Sequence, residues 1–424
     1  MKIFIVEPYT RTPGHFERLA VRTSEALARL GNKVTLVTYG GIAPELSRDD
    51  HCFTVVDAAP PGVEDLDARY RNGRMDLTSF RAFFKREMQE YRTFRYASSL
   101  LRNDDFSVVH FYDADPILLT LAVRSMRRRR GRNGGPVIVL TIHEIARLGR
   151  SKGIKRRSFR WIFRHCLERL IKHDLDGIVV LDPSLKQGLL SHFRISERAA
   201  DRIRVLPHGI GDPIQVSSKE EARRRLKLDP SETIFLVFGI LRKDKRIDLA
   251  IEAIKGLSKC RLIIAGEAQD LTKEMIEDLV KRHGCERSVT AEIGFLPEKK
   301  MHDYFSACDV VVIPYDKSFK GLSGILTLAC GHGRMVIASD VGQLGETVKR
   351  YGIGLTVEPD NGSDLHQAVR RFLSLPAAEC AQIEERVRSY ARLMDWDSAC
   401  TEWAEFYRML LNHRILPFQA NGTC

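Results

Sequence analysis

The chain has 424 residues, which is too long for one compact core and predicts two or three domains. Apolar residues make up 44% and charged residues 29%, an ordinary globular composition, and no apolar run approaches the ~18 residues that span a bilayer. The run from Ile3 to Val6 is too short for a signal-peptide core and predicts a buried strand. Nine scattered cysteines without a Cys-x-x-Cys pair argue against a disulfide framework or zinc site and favour the reducing cytoplasm.

The net charge of +12 is concentrated in residues 124–164, which contain Arg127–Arg130 and only one acid, Glu144. One interpretation is a solvated loop followed by a surface helix that packs its apolar stripe on the core. The other is attraction to anionic lipid or to a polyanionic substrate. Binding to nucleic acid ranks third, because no recognisable nucleic-acid-binding motif accompanies the charge.

Short apolar strands alternate with amphipathic helices along the first half of the chain, which predicts a doubly wound parallel sheet. A helix with one apolar face follows the first strand, and Gly31 stands where its C-cap belongs. The predicted strands are Ile3–Val6, Val34–Val37, Val108–Phe111, Val137–Thr141, Ile178–Leu181 and Val205–Leu206.

The pattern breaks at the turn-rich segment 208–213, and a helix capped by Ser218 follows. A second α/β series then begins, and residues 379–413 read as helices. We therefore predict domains at 1–208 and 209–400, with a final helix over 401–424. The strands predicted in the second domain are Ile234–Phe238, Leu262–Ala265, Val310–Ile313, Met335–Ala338 and Leu355–Val357.

Ligands of open α/β sheets bind outside the carboxyl ends of the strands, so the loops after the strands are the candidate site. Gly239 opens the loop after the first strand of the second domain, and Arg242 and Lys245 follow it at a helix start. Two fixed cations beside helix N-terminal dipoles suit a diphosphate. The alternative is a solvated basic turn.

Two further loops carry glycines that open a helix. Gly14 follows the first strand, and Ser323-Gly324 precedes an apolar helix after Pro314-Tyr315. Both suit backbone donation to a phosphate. Without further context, a plain tight turn is the alternative at Gly14, and capping alone is the alternative at Ser323-Gly324. His143 comes just after the strand Val137–Thr141, where a side chain can reach a ligand, whereas His110 lies inside its strand. We therefore expect His143, rather than His110, to be the functional histidine.

Taken together, these segments resemble the retaining glycosyltransferases of family 4, which have the GT-B fold. The resemblance spans nearly the whole chain, and its specificity lies in the order and spacing of the motifs. They are Pro13-Gly14, Thr141-Ile142-His143-Glu144, Pro207-His208-Gly209-Ile210, Gly239–Lys245, Ile264-Ala265-Gly266-Glu267, Gly294-Phe295-Leu296-Pro297, Asp309–Tyr315 and Ser339–Glu346.

The resemblance implies two Rossmann-like domains that face a central cleft, with a C-terminal helix crossing back to the N-terminal domain. It implies acceptor binding by the N-terminal domain, nucleotide-sugar binding by the C-terminal domain, and no metal or other cofactor. A sugar would pass from a nucleoside diphosphate to a hydroxyl with its anomeric configuration retained.

The resemblance also implies roles for the candidate residues. Arg242 and Lys245 would stabilise the departing diphosphate, and His143 would contact the donor sugar. Gly14, Gly239 and the Ser323-Gly324 pair would bind the diphosphate through backbone donors, and Glu267 and Glu346 would hold the nucleoside.

Two departures from the family pattern indicate a variant site. Many members carry two glutamates eight positions apart, where this chain has Ser318 and Leu326. The usual arginine directly after the loop glycine is Ile240 here, and Arg242 follows two residues later. A subset of the family is similar to this sequence, with Arg and Lys three apart and a Ser-Gly pair.

We expect a cytoplasmic enzyme whose acceptor is a saccharide or a lipid-linked saccharide, with a peripheral membrane contact through residues 124–164 as one interpretation. Two other functions fit the same fold. One is a nucleotide-sugar epimerase, which needs no acceptor. The other is a glycosyltransferase-like subunit that lost catalysis with its two glutamates.

Overall fold

The computed structural model describes residues 1–8, 16–42, 51–59, 80–101, 105–112, 114–127, 135–142, 154–181, 183–195, 200–206, 209–210, 217–319 and 323–415. The side chains of 16–18, 80–86, 154–160 and 414–415 are outside this description. The chain divides into two compact units. The first runs to Gly209 and resumes at Trp396, and the second is the continuous segment Ile210–Asp395.

The first unit is built on a parallel sheet of seven strands in the order β3-β2-β1-β4-β5-β6-β7. The strands are β1 (Lys2–Val6), β2 (Lys33–Thr38), β3 (Thr54–Asp57), β4 (Val108–Phe111), β5 (Val137–Ile142), β6 (Gly177–Val180) and β7 (Ile203–Val205). The helices are α1 (Phe16–Arg29), α2 (Phe80–Leu100), α3 (Pro116–Arg127), α4 (Ile154–Arg169, continued by a π turn over Leu170–Asp174) and α5 (Pro183–Phe193), with α14 (Trp396–Ile415) from the end of the chain.

Both faces of this sheet are buried, because neighbouring residues of a strand point to opposite sides. In β1, Phe4 and Val6 belong to one apolar cluster, and Ile3 and Ile5 belong to another that includes residues of α14. A Cβ at Gly177 of β6 would lie 2.5 Å from Leu410 Cδ1 of α14. A residue without a side chain is therefore what allows α14 to pack so close to β6.

The second unit has a six-stranded parallel sheet in the order β10-β9-β8-β11-β12-β13. Its strands are β8 (Thr233–Phe238), β9 (Cys260–Gly266), β10 (Val289–Ile293), β11 (Val310–Ile313), β12 (Met335–Ser339) and β13 (Gly354–Val357). Its helices are α6 (Lys219–Arg225), α7 (Ile247–Ala253), α8 (Lys273–His283), α9 (Glu298–Ala307), α10 (Gly324–Gly331), α11 (Gly342–Tyr351), α12 (Gly362–Leu373) and α13 (Ala377–Leu393). Ser218 caps α6 as predicted, accepting a hydrogen bond from the Glu221 N–H.

The α/β architecture with two parallel sheets confirms the predicted fold class. The sequence places the domain boundaries after residues 208 and 400, whereas the structure places them after Gly209 and Asp395. Two strands, β3 and β10, are absent from the sequence prediction. No helix within the described ranges is long and apolar enough to cross a membrane.

Candidate functional site

The carboxyl ends of β9, β8, β11 and β12 are neighbours in the sheet of the second unit. Gly239 directly follows β8, and Glu267 directly follows β9. Ser323 caps α10, the helix that follows β11. The fold thus brings the candidate residues of three loops to one edge of this sheet, where open α/β sheets bind ligands.

Gly239 and Gly266 let the loops after β8 and β9 approach each other at backbone distance. Their φ angles are +103° and +143°, values that L side chains rarely adopt. A Cβ on Gly266 would lie 2.1 Å from the Gly239 carbonyl oxygen. The Leu241 N–H then donates to the Glu267 carbonyl oxygen over 2.7 Å. The Glu267 backbone is therefore held directly beside the basic loop.

Lys245 is the buried cation of the site. It ends a 3₁₀ turn, Lys243–Lys245, and is only 6% exposed. Its ammonium donates to the Phe238 carbonyl oxygen over 3.1 Å and lies 5.7 Å from the centre of the Tyr315 ring. Burial, and secondarily the Arg242 charge, lowers the pKa of Lys245 to about 8, while Asp244 opposes this shift. No carboxylate of the described residues forms an ion pair with it.

Arg242 begins the same turn and is 37% exposed. Its guanidinium binds Asp244 through two bonds, Nε to Oδ1 at 2.9 Å and Nη2 to Oδ2 at 2.8 Å. These bonds raise the pKa of Arg242 above its ordinary value, so the group stays charged. The turn therefore carries two cations. Lys245 is buried, whereas Arg242 is partly exposed and forms an ion pair with Asp244.

Ser323 and Gly324 form the start of α10 beside this turn. The Ser323 hydroxyl accepts from the Ile325 N–H over 3.2 Å and lies 3.3 Å from the Tyr315 hydroxyl. Ile325 in turn lies against Gly239, since a Cβ there would be 3.1 Å from Ile325 Cδ1. A Cβ on Gly324 would meet no described atom within 4 Å. Capping by Ser323 is thus observed, and it leaves the Gly324 side of the helix terminus open.

Tyr315 links the Arg242–Lys245 turn to the start of α10, because it contacts both Lys245 and Ser323. It is not among the candidates predicted from the sequence. Burial raises its pKa to about 12, so the hydroxyl stays protonated and can donate. The ring faces Lys245 and the hydroxyl faces Ser323. Its position after the buried strand β11 is the sequence signal that points to it, the same signal that identifies Gly239 after β8.

The two departures from the family pattern have clear structural settings. Leu326 is fully buried in the core of the second unit. Ser318 donates to Asp316 Oδ1 over 2.6 Å within its own turn. Ile240 is 46% exposed. Leu326 is therefore part of the hydrophobic core, and Ser318 stabilises a local turn.

For three other candidates the structure shows no link to this cluster, and two of them lie outside the described residues. Glu346 is exposed in α11, and none of its described contacts joins it to the basic turn. Gly14 and His143 lie outside the described residues. His110 is fully buried between the Tyr407 hydroxyl, 2.5 Å from Nδ1, and the Thr141 hydroxyl, 2.7 Å from Nε2.

Three groups converge on one edge of the sheet: a buried ammonium and a guanidinium, of which the ammonium has no carboxylate partner among the described residues, and the helix N-terminus at Gly324. Each of these groups attracts anions, and together they suit a phosphate group or a diphosphate. Within the described ranges, no three His, Cys, Asp or Glu side chains are grouped so that they could hold a metal ion.

Two family models match consecutive parts of the chain. The model described as Glycosyltransferase Family 4 matches residues 16–212, and the model described as Glycosyl transferases group 1 matches residues 218–393. The chain is also 24% identical over 396 residues to an uncharacterised glycosyltransferase of Methanocaldococcus jannaschii, covering 92% of each chain.

Solved structures share the architecture. A sucrose-phosphate synthase from Thermosynechococcus elongatus superposes with a TM-score of 0.67 at 19% identity, covering 97% of this chain and 100% of that one. The Anabaena protein HepE, solved in complex with UDP-glucose, gives a TM-score of 0.65 at 13% identity and covers 96% of this chain and 100% of its own. At these identities the likeness concerns the fold.

The architecture and the two matches define the class of protein, an enzyme with the GT-B fold. The chain belongs to glycosyltransferase family 4, as the resemblance in its sequence implies.

Proposed function

We propose that this glycosyltransferase takes its sugar from a nucleoside diphosphate donor whose diphosphate binds at the start of α10 and the Arg242–Lys245 turn. The observation that carries the proposal is Lys245, an ammonium that is 6% exposed and has no ion-pair partner in the described part of the chain. A buried charge is costly unless it is paired, so the site is built for an anion. HepE, a protein of the same fold, was solved with UDP-glucose.

In this transfer the bond between the sugar and the diphosphate breaks, a bond forms between the same sugar carbon and the acceptor's hydroxyl oxygen, and that hydroxyl gives up its proton. Negative charge accumulates on the leaving diphosphate oxygen. Lys245, Arg242 and the N–H groups at Gly324 would stabilise that charge, since donors fixed beforehand act most strongly where charge develops. The Gly14 backbone would add a further donor, and His143 would contact the sugar. Glu267 lies one loop along the same edge and would hold the nucleoside, and Glu346 is a second candidate for this role.

The stereochemistry and cofactor use are further parts of the proposal. Retention of configuration is what the resemblance to family 4 implies. We propose that no metal or other cofactor takes part, because two cationic side chains and a helix N-terminus supply the positive charge a diphosphate needs. The anomeric configuration of the product, read by NMR, and activity after treatment with EDTA test these two points.

The acceptor is proposed to be a saccharide or a lipid-linked saccharide, and the enzyme to be cytoplasmic with a peripheral membrane contact. Trp161 and Ile162 of α4 are 67% and 42% exposed, and Trp161 stacks on His165. Phe163 and Leu167 of the same helix are buried. An exposed tryptophan on a basic helix is typical of proteins that lie at a lipid interface.

All eight cysteines within the described ranges are free, which agrees with a reducing compartment.

Replacement of Arg242 or Lys245 by Ala tests the donor site. Each change should lower turnover by roughly 10²–10³, the usual loss for one donor to a developing charge. Lys243→Ala is the matched control, because Lys243 lies in the same turn but is exposed. Donor consumption with and without acceptor separates transfer from epimerisation. Normal turnover in both test variants would refute the assignment.

A further inference from the structure

Asp244 occupies one of the two edges of the Arg242 guanidinium that could bind a phosphate. The Nε and Nη2 groups of Arg242 both donate to its two carboxylate oxygens, at 2.9 and 2.8 Å. This pair of parallel N–H groups is one of the two edges with which a guanidinium binds a phosphate, the other being formed by Nη1 and Nη2. A carboxylate and a phosphate cannot occupy this edge together.

A second arginine in the same turn makes the same contact with an aspartate two residues on. Arg246 binds Asp248 through Nε and Nη2, at 3.1 and 2.9 Å, and also binds Asp360 through Nη1. Arg246 is thus held by two carboxylates. In contrast, Arg242 has Asp244 as its ion-pair partner within the described residues.

The Arg242–Asp244 pair is open to solvent. The side chains are 37% and 28% exposed, whereas Lys245 beside them is 6% exposed. An ion pair at such exposure is weak because water screens it and competes for both groups. A diphosphate, with at least two negative charges and Lys245 as a second partner, would be the stronger ligand for Arg242.

We propose that Asp244 is an internal counter-ion that holds Arg242 in the free enzyme, is displaced by the donor's diphosphate, and rebinds Arg242 when the nucleoside diphosphate leaves. The inference rests on the donor site proposed above. Asp244 then weakens product binding and speeds product release, and it acts through Arg242 without touching the sugar.

The backbone of the turn does not depend on the Asp244 side chain. The Asp244 carbonyl oxygen accepts from the Asp316 N–H over 2.8 Å. The Lys245 N–H donates to the Arg242 carbonyl oxygen over 3.2 Å, and the Arg246 N–H donates to that of Lys243 over 3.1 Å. Asp244→Asn, which keeps the size of the side chain, should therefore leave Lys245 in place.

Calorimetric titration of the full chain with UDP, ADP and GDP tests the proposal, using the nucleotide that binds the natural chain best. Asp244→Asn should tighten binding by about two- to fivefold, the range expected when a weak, exposed ion pair no longer competes. Asp248→Asn is the matched control and should bind as the natural chain does. The Arg242→Ala, Asp244→Asn double variant should bind no better than Arg242→Ala, and stopped-flow displacement should show slower release from Asp244→Asn.

The outcomes separate this proposal from the donor site itself. Unchanged or weaker binding in a folded Asp244→Asn protein would overturn the counter-ion role while leaving the donor site standing. An equal gain in Asp248→Asn would also overturn it, because the effect would then be one of general charge. If the natural chain binds none of the three nucleotides, the donor-site assignment falls and the counter-ion role falls with it.

Discussion

A Cβ on residue 239 would lie 2.9 Å from the ammonium nitrogen of Lys245, so the absence of a side chain at Gly239 leaves room for the buried cation. The same Cβ would lie 3.1 Å from Ile325 Cδ1. Both contacts are closer than ordinary van der Waals distance, and one of the neighbours would have to shift.

Gly239→Ala should therefore weaken nucleoside diphosphate binding at least tenfold, since Lys245 would be displaced. Gly256→Ala is the matched control. Gly256 also has a positive φ, +74°, but a Cβ there would meet nothing within 4 Å. Both variants should lose about 1–2 kcal/mol of stability through backbone strain, and only the first should lose affinity. Thermal unfolding and calorimetry measure the two effects. Equal affinity in both variants would contradict the packing argument.

Binding should take up a proton above pH 8. The pKa of Lys245 is about 8 in the free protein because burial disfavours the ammonium, so at pH 9 roughly nine-tenths of the molecules hold a neutral Lys245. A bound anion favours the ammonium and raises this pKa, and a phosphate with its second pKa of about 6 does not itself titrate at pH 9. Affinity should thus fall as pH rises through 8.

Calorimetry at pH 9 in two buffers of different ionisation enthalpy measures this proton. The natural chain and Lys243→Met should take up between about half a proton and one proton, whereas Lys245→Met should take up none. Proton uptake that persists in Lys245→Met would assign the titration to another group.

The start of α10 should respond differently to substitutions at its first and third residues. Gly324→Val places a branched side chain at the helix terminus, where a Cβ would meet no described atom within 4 Å, and should weaken nucleotide binding with little change in stability. Leu326→Ala truncates a fully buried side chain and should cost about 2–5 kcal/mol of stability. Calorimetry and thermal unfolding of both proteins distinguish the two effects. Unchanged affinity in folded Gly324→Val would favour a glycosyltransferase-like subunit without catalysis.

The basic stretch 124–164 should bind anionic vesicles in a salt-sensitive way. Each Lys or Arg near such a surface contributes about 1 kcal/mol, and Trp161 adds an aromatic anchor. Trp161→Ala should weaken vesicle binding. Leu393→Ala removes another exposed apolar side chain, 58% exposed in the second unit, and should leave binding unchanged. Sedimentation with anionic and neutral vesicles decides, and equal binding to both kinds would count against the proposal.

Arg127 is less available for binding lipid than its place in the run Arg127–Arg130 predicts. Its Nε donates to the Asp174 carbonyl oxygen over 2.7 Å, and its Nη2 lies 3.4 Å from Asp176 Oδ1. Replacing Arg127–Arg130 together would therefore also remove a structural contact. Arg164, which is exposed on α4, is the cleaner substitution for testing charge.

Sequence reasoning works best where burial imposes a simple pattern. The central strands β1, β8 and β11 are continuous apolar runs, because helices cover both faces of a parallel sheet. The two strands it misses, β3 and β10, lie at sheet edges and are only partly buried. Their short mixed sequences, Thr54–Asp57 and Val289–Ile293, carry no such run.

At the site, the sequence locates the loops but not the contacts. Gly239, Arg242, Lys245 and Ser323 are predictable because they follow strand ends or open helices. That Lys245 is buried while Arg242 is bound by Asp244 depends on a 3₁₀ turn and on Tyr315, which arrives from another strand. Such a division of roles between two cations three residues apart has no signature in local composition.

The packing of α14 against the rest of the first unit has a consequence for synthesis. The second unit is an insertion whose ends meet, since the Ile210 N–H donates to the Met394 carbonyl oxygen over 2.5 Å. Trp403 and Leu410 pack with Ile3 and Ile5 on one face of the sheet of the first unit. They emerge from the ribosome only after that insertion. At ordinary translation rates this takes about 10–40 s, during which the apolar face around Gly177 is bare. A nascent chain of this protein is therefore a natural client for chaperones, and truncation before Trp396 should leave an aggregation-prone first unit.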